Sequence, residues 1–264
     1  MENKKQKEHF VVMYNKDFMV SSTPHLTAMD TYVYFTMKLM AGNVYASDTL
    51  YATTDSMCIY TFTRYARDMP QKFVNELRLS LKQVSDNGFI PYKVDFNNCP
   101  MNHVYDIGVV WKKDEATVKK QENSPYTLIP ISSYNKIFSA FGLSEIMKVR
   151  VFYFYIKLSS MIVYKTAVCT YSLDEIAAKT NYSVNTVQSY IKILENYGVL
   201  AVYHMGKNVK QYANYPTNVI GQYYNKERVM QYGKDVYYAF CSRNKIKPSE
   251  NSSDGTTGHQ QASA

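Results

Sequence analysis

Apolar positions recur at helical spacing through much of the second half of this chain. From Glu145 to about Ser159 they fall at Ile146, Val149, Phe152, Tyr153 and Ile156, with Ser144 placed to cap the start of the helix. A β-branched, apolar stretch around Val163 to Tyr171 follows. Ser172-Leu173-Asp174-Glu175 then has the form of a capping box opening a short helix to about Thr180. After a turn at Asn181-Tyr182, Ser183 caps a third helix in which Val187, Ile191 and Leu194 share a face and Gly198 marks the stop. Two strand-like runs come next, Leu200–His204 and Val209–Tyr215, joined by Met205-Gly206-Lys207-Asn208 as a hairpin.

The first half echoes this pattern. Thr27 can cap a helix running through Val33 and Met37 to about Met40. Residues Thr61–Phe96 align with Ser172 onward after a one-residue deletion in the turn. Val74, Leu77, Leu81 and Val84 then fall on Val184, Val187, Ile191 and Leu194, and Gly88 on Gly198. On that alignment Gly42 to Tyr60 is a longer loop than its counterpart. Tyr14-Asn15-Lys16 and Phe18 also recur as Tyr134-Asn135-Lys136 and Phe138, 120 residues later (14 to 134). A duplication accounts for all three observations; the alternative is an unrelated α+β domain with one amphipathic helix ending in glycine.

A polar run, Lys112 to Ser124, precedes Pro125 and separates the two apolar halves. Between Gln222 and Lys245, Tyr223, Val229, Tyr232, Val236, Tyr237 and Phe240 have broadly helical spacing among Lys226, Arg228, Lys234 and Arg243. Two roles are open to that helix: pairing two subunits as a homodimer, or packing back on its own domain. From Lys247 onward the chain is polar and poor in apolar residues, so burial cannot offset its ordering entropy. The expected division is an N-terminal domain at 1–111, a linker at 112–124, a second domain at 125–221, a C-terminal helix at 222–246 and a disordered tail at 247–264. The expected fold class is mainly α with small β-hairpins, α+β.

Composition narrows the partners. Hydrophobic residues are 46% and charged residues 20%, a globular balance. The 26 tyrosines imply a core whose rings carry hydroxyls that need partners. A net charge of +8 favours a polyanion, either nucleic acid or an anionic membrane surface. Cys58, Cys99, Cys169 and Cys241 are far apart with no C-x-x-C, so neither a zinc site nor a disulfide framework is expected, and a reducing cytoplasm fits. The charged N-terminus and the interruption of Val149–Tyr164 by Arg150 and Lys157 predict neither signal peptide nor membrane span.

Helix, strand, helix, turn, helix, hairpin is the winged-helix order, and residues 171–203, YSLDEIAAKTNYSVNTVQSYIKILENYGVLAVY, resemble the helix-turn-helix core of bacterial winged-helix proteins. The resemblance rests on Ile176 and Ala177, the turn at Asn181 and Tyr182, Ser183, Leu194 and the Gly198-Val199-Leu200 entry to the wing. With the echo in the first half, the whole is similar to tandem winged-helix initiators of bacterial plasmids and related mobile elements. That resemblance implies two winged-helix domains in tandem and a double-stranded DNA partner.

A reading helix needs a polar outward face to meet base edges in a major groove. With Val187, Ile191 and Leu194 inward, Asn185, Ser189 and Lys192 point outward, flanked by Thr186 and Gln188. The bland alternative is an ordinary solvated face, which is normally richer in Glu and Lys. Lys207, Asn208 and Lys210 on the wing are placed for phosphate or the minor groove. In the first half the matching positions are Lys72, Asn75, Arg78 and Lys82, with Arg64 and Arg67 on the preceding helix, and they serve either DNA or dimerisation. No phosphate-binding loop, dinucleotide fingerprint, nucleophile elbow or metal-ligand spacing is present, so neither catalysis, cofactor nor metal is expected. The expected function is sequence-specific DNA binding as a replication initiator. A transcriptional regulator and a protein-interaction module are the alternatives.

Overall fold

The computed structural model describes residues 8–18, 25–40, 49–51, 53–86, 92–93, 110–113, 125–205, 218–246 and 248. It is mainly helical, with small antiparallel sheets, an α+β fold of two compact units, Met1–Ser160 and Met161–Ala264.

In the first unit, β1 (Phe10–Tyr14) pairs antiparallel with β5 (Tyr126–Pro130), Val12 standing opposite Leu128. Helices α1 (Asn15–Phe18) and α2 (Ala28–Met40) follow β1, while α5 (Ile131–Phe138) and α6 (Glu145–Ser159) follow β5. The centre is α2 against α6. Met29–Lys38 and Val151–Ser159 are buried without a break, the polar Asp30, Thr31, Thr36, Lys38, Lys157 and Ser159 among them. Both are capped as the sequence predicts. Asp30 N–H donates to Thr27 Oγ1 (3.3 Å) while Thr27 N–H donates to Asp30 Oδ2 (3.0 Å), and Met147 N–H donates to Ser144 Oγ (3.3 Å). Ser80 of α4 (Gln71–Asp86) donates to the other oxygen of the buried Asp30, fastening α4 to the start of α2.

The hydroxyls of Tyr32, Tyr134, Tyr153 and Tyr155 find partners. Phe35 stacks on Tyr134 at 5.1 Å and meets Phe152 edge-on at 4.8 Å; Tyr134 hydroxyl lies 3.0 Å from Thr36 Oγ1 and 2.7 Å from Thr61 Oγ1, which in turn meets Tyr32 hydroxyl at 2.9 Å. Lys38 is also buried. Its ammonium donates to Val12 O (2.5 Å) between the rings of Tyr14 and Tyr34, and burial pulls its pKa down to about 7 against the opposing pull of Asp17.

The order of elements recurs along the chain. Apart from a 3-10 turn at Ala66–Asp68 that has no counterpart, β1, α1, α2, β2 (Thr49–Tyr51), α3 (Thr54–Phe62), α4, β3 (Tyr92–Lys93) and β4 (Val110–Lys113) follow the same order as a second series. That series is β5, α5, α6, the Val163–Cys169 bridge segment, α7 (Leu173–Thr180), α8 (Val184–Asn196), β6 (Leu200–His204) and β7 (Asn218–Gln222). Strands β1 and β5 are offset by 116 residues (10 to 126), and the caps of α2 and α6 by 117 (27 to 144). At those offsets Val12 corresponds to Leu128, its own strand partner, and Phe35 to Phe152, its own ring partner. Equivalent residues that touch each other lie on a local two-fold axis, so β1–β5 and α2–α6 form an internal, dimer-like pairing.

Several expectations are corrected. The 120-residue echo is not the repeat, because Tyr14 ends a strand whereas Tyr134 lies within α5. The helix preceding α4 is Thr54–Phe62, capped by a Thr53–Ser56 box, and not a helix opening at Thr61. Gly42 to Tyr60 is therefore no single loop. Arg64 follows the left-handed Thr63 cap and Arg67 sits in a short 3-10 turn, Ala66–Asp68, so neither is on the α-helix that precedes α4. Eight residues (63–70) separate α3 from α4, against three (181–183) between α7 and α8. The compact units divide after Ser160 and not at 112–124, because β1–β5 pairing and α2–α6 packing both cross that stretch, and β4 already takes Lys112 and Lys113.

In the second unit, β6 pairs with β7, and an isolated antiparallel bridge joins Cys169 to Ile220 of β7. The partner of Leu200–His204 is thus Asn218–Gln222 and not Val209–Tyr215, which lies outside the described residues. Long-range burial chose it, since Val219 and Ile220 are fully buried. After a 3-10 turn at Tyr223–Asn225, helix α9 (Lys226–Arg243) packs back on this sheet through Val229, Tyr237, Phe240 and Cys241, beside Tyr203 and Val219. Its apolar stripe is therefore used within its own unit, where one of the two expectations placed it. Gly233 sits against the Tyr203 ring so closely that a Cβ would lie 2.3 Å from Tyr203 Cγ. Cys58, Cys169 and Cys241 are buried free thiols. Among the described residues no helix is long and apolar enough to cross a membrane. The expected disorder of 247–264 concerns residues that, apart from Pro248, lie outside those described.

Candidate nucleic-acid interface

The most sharply built surface is the α7–turn–α8 segment. Its local chemistry follows the sequence closely. Glu175 N–H donates to Ser172 Oγ (3.2 Å) and Ser172 N–H donates to Glu175 Oε2 (2.7 Å); that backbone hydrogen bond holds the Glu175 carboxyl below its usual range. Helix α7 stops at Asn181, whose φ of 59° is one that Asn tolerates better than most residues. Ser183 then accepts from Thr186 N–H (3.2 Å) and its hydroxyl lies 2.8 Å from Thr186 Oγ1. Thr186 is therefore half-buried and engaged in the cap, less available than a flanking contact needs to be.

Helix α8 turns Val187, Tyr190, Ile191 and Leu194 inward, with Tyr190 edge-on to Tyr182 at 5.5 Å. Asn185, Gln188, Ser189 and Lys192 are all exposed on the opposite side. Asn196, also exposed, continues the row from 185 through 189 and 192 and was legible from its spacing. Lys179 on α7 lies over the Tyr171 ring at 4.8 Å. The structure thus brings Asn185, Gln188, Ser189 and Lys192 together on one polar face, with Glu195, which is engaged with His204, at its C-terminal edge.

One unforeseen contact fixes the base of the hairpin. His204 at the end of β6 places Nδ1 2.9 Å from Asn218 Oδ1 and Nε2 3.2 Å from Glu195 Oε1 on the last turn of α8. The Glu195 hydrogen bond raises the His204 pKa above its ordinary value. Lys207, Asn208 and Lys210 lie outside the described residues.

In the first unit, Lys72, Asn75 and Lys82 are exposed on α4, whereas Arg78 is half-buried with its Nε and Nη2 shielded from solvent. Arg78 therefore does not belong to the open face. Asn75 Oδ1 accepts from Gln71 Nε2 (2.8 Å). Arg64 pairs with Glu145 at 3.0 Å, and Arg67 lies over the Tyr65 ring at 4.9 Å. Leu79, 56% exposed among these polar side chains, was missed because the apolar pattern of α4 is complete without it. Among the described residues no group of His, Cys, Asp and Glu is placed to hold a metal ion.

Comparison of the chain with protein-family models, with curated proteins and with solved structures gives no match.

Proposed function

We propose that this protein binds double-stranded DNA sequence-specifically through a winged helix-turn-helix in which α8 is the reading helix, and that it does so in the cytoplasm without catalysis. The observation that carries the reading is the exposed face of α8. A surface helix usually mixes Lys with Glu for solubility, but this face is Asn185, Gln188, Ser189 and Lys192. Asn and Gln offer paired donors and acceptors that match adenine in the major groove, and Lys reaches guanine or a phosphate. The caps at Ser172 and Ser183 fix where α7 and α8 begin, and the His204 contact holds the hairpin to α8, as a wing beside a reader requires. A net charge of +8 adds the non-specific attraction on which such binding depends.

The biological role we favour is replication initiation on a plasmid or mobile element, since a doubled order of elements suits sites that come in repeats. Fluorescence anisotropy on duplexes selected from a random pool, at two salt concentrations, tests the binding. Asn185→Ala and Lys192→Ala should each cost ~1–3 kcal/mol and relax preference at particular base pairs. A selected site bound equally well by both variants removes α8 as the reader, and failure to select any sequence removes the DNA reading. Maintenance of an origin-less replicon carrying the gene and its flanking DNA then separates an initiator from a regulator.

A further inference from the structure

Three elements converge on His204. Glu195 belongs to the last turn of α8, His204 closes β6, and Asn218 opens β7 directly opposite it in the strand register. Both ring nitrogens face oxygen: Asn218 Oδ1 lies 2.9 Å from Nδ1, and Glu195 Oε1 lies 3.2 Å from Nε2. A neutral imidazole carries one N–H and can serve only one of these acceptors, whereas the imidazolium serves both. The geometry therefore calls for the charged ring, and the Glu195 hydrogen bond accordingly raises its pKa.

Other charged groups at the ring are few. Side chains alternate along β6, so Ala201, Tyr203 and Met205 meet α9 while His204 is on the other face, and among the described residues α9 brings no charge to it. The neighbour from β7, Asn218, is uncharged, and the 3-10 turn at Tyr223–Asn225 follows the far end of that strand. From α8 the charged groups are Glu195 and, three residues earlier, Lys192. Residues three apart on a helix are neighbours, and Lys192 is exposed on the reading face. Glu195 thus stands between two cations, one that belongs to the hairpin and one offered to DNA.

We propose that His204 is a proton-dependent positioning residue of this surface: its imidazolium ties the hairpin to α8 and holds Glu195 away from Lys192, so that binding DNA favours the protonated ring. This rests on the DNA-binding reading above and gives that site a regulation. When the ring loses its proton, the donor facing Glu195 loses its charge and the hydrogen bond weakens. The carboxylate then turns to Lys192, which takes a cation from the DNA and leaves a negative charge beside the phosphates. Affinity should therefore be highest below the ordinary histidine value of 6.5 and fall as pH rises through the raised pKa of His204.

Fluorescence anisotropy on a duplex selected with the full chain, read from about pH 6 to about pH 8.5 at fixed ionic strength, tests this. Wild type should weaken about fivefold across that range, the worth of one exposed ion pair. Glu195→Gln removes the carboxylate and should bind at the alkaline end as tightly as wild type at the acid end, with little response to pH. His204→Gln keeps a hydrogen-bonding side chain without the charge and should show the weaker affinity throughout; thermal melts check that both variants are folded. Histidine NMR of the full chain, with the His204 signal identified by its loss in His204→Gln, should show its pKa rise when the duplex is added. A flat profile in wild type overturns the proposal, and an unchanged slope in His204→Gln does so by giving the titration to another group. Glu195→Gln binding at the acid end only as weakly as wild type at the alkaline end also overturns it, since Glu195 is then no more than a brace. If Lys192→Ala still relaxes preference at particular base pairs, the DNA reading stands and only the role of His204 fails.

Discussion

Replacing Gly233 by alanine sets a helix rule against a packing constraint. Glycine inside a helix costs ~1 kcal/mol relative to alanine, so local reasoning predicts a more stable protein. The structure predicts the reverse. A Cβ at this position would lie 2.3 Å from Tyr203 Cγ, 2.5 Å from Cδ1 and 2.6 Å from Cβ, far inside the ~3.5–4.0 Å of a favourable carbon contact. Tyr203 has little room to yield, because it is 2% exposed and shares its core with Ala201, Val219, Tyr237 and Phe240. Overpacking in such a core costs ~1–3 kcal/mol. Contacts this deep on a ring atom belong at the upper end, so after the gain in helix propensity the net loss is ~2 kcal/mol. For a unit of this size that is a fall in Tm of roughly 10 °C. Thermal unfolding of the full chain, followed by near-ultraviolet circular dichroism, reads it directly. Tyr203→Ala should be less harmful in the Gly233→Ala background than alone, since it removes the Cγ and Cδ1 that the new methyl meets most closely. An unchanged or higher melting temperature for Gly233→Ala would refute the claimed closeness of α9 to its sheet.

Two further predictions concern pH. The fold favours the charged form of His204, so its folded pKa lies above the ordinary 6.5; the stability it contributes is fully present below about pH 6.5 and is lost as pH rises through the folded value. Glu195→Gln should flatten that dependence in melts taken across the interval, and identical slopes in the two proteins would sink the clasp. For Lys38 the sign is opposite: between about 7 in the fold and 10.5 ordinarily, the unfolded chain holds the extra proton. Stability should therefore climb with pH through that window, by up to about 1.4 kcal/mol per pH unit, and Lys38→Met should remove the slope in urea unfolding at pH values spanning it.

What could be read in advance was whatever local chemistry decides. Ser144, Ser172 and Ser183 announce their helices because an N-cap acts within one turn, and Leu200–His204 was legible from its own residues. The partner of that strand was not, since a short turn at Met205–Asn208 looked sufficient, whereas the register was set by burying Val219 against α9 and Ile220 on the opposite face of the strand. Helix α3 was misplaced for a related reason. Its capping box uses Ser56 where α7 has Glu175, and Thr61-Phe62 imitated the opening of a helix that in fact ends there. The domain boundary depended on strands more than a hundred residues apart, which no composition shift reveals. On the candidate interface, the exposed row of α8 followed from periodicity. The burial of Arg78, the engagement of Thr186 and the exposure of Leu79 required neighbours from elsewhere in the chain.

The self-pairing of Val12 with Leu128 and of Phe35 with Phe152 sets a condition that an ordinary dimer lacks. Segments of one chain meet at an effective concentration on the order of millimolar, so this pairing survives dilution that would separate two subunits joined by the same surfaces. It also frees the sequence from symmetry. In a homodimer every substitution on the axis is made twice, and a change in size is doubled. Here a small residue on one strand can answer a larger one opposite, as valine answers leucine at the centre of β1 and β5. The same independence lets the outward faces of α4 and α8 differ while each keeps the same spacing of buried residues, as Leu79 and Ser189 do.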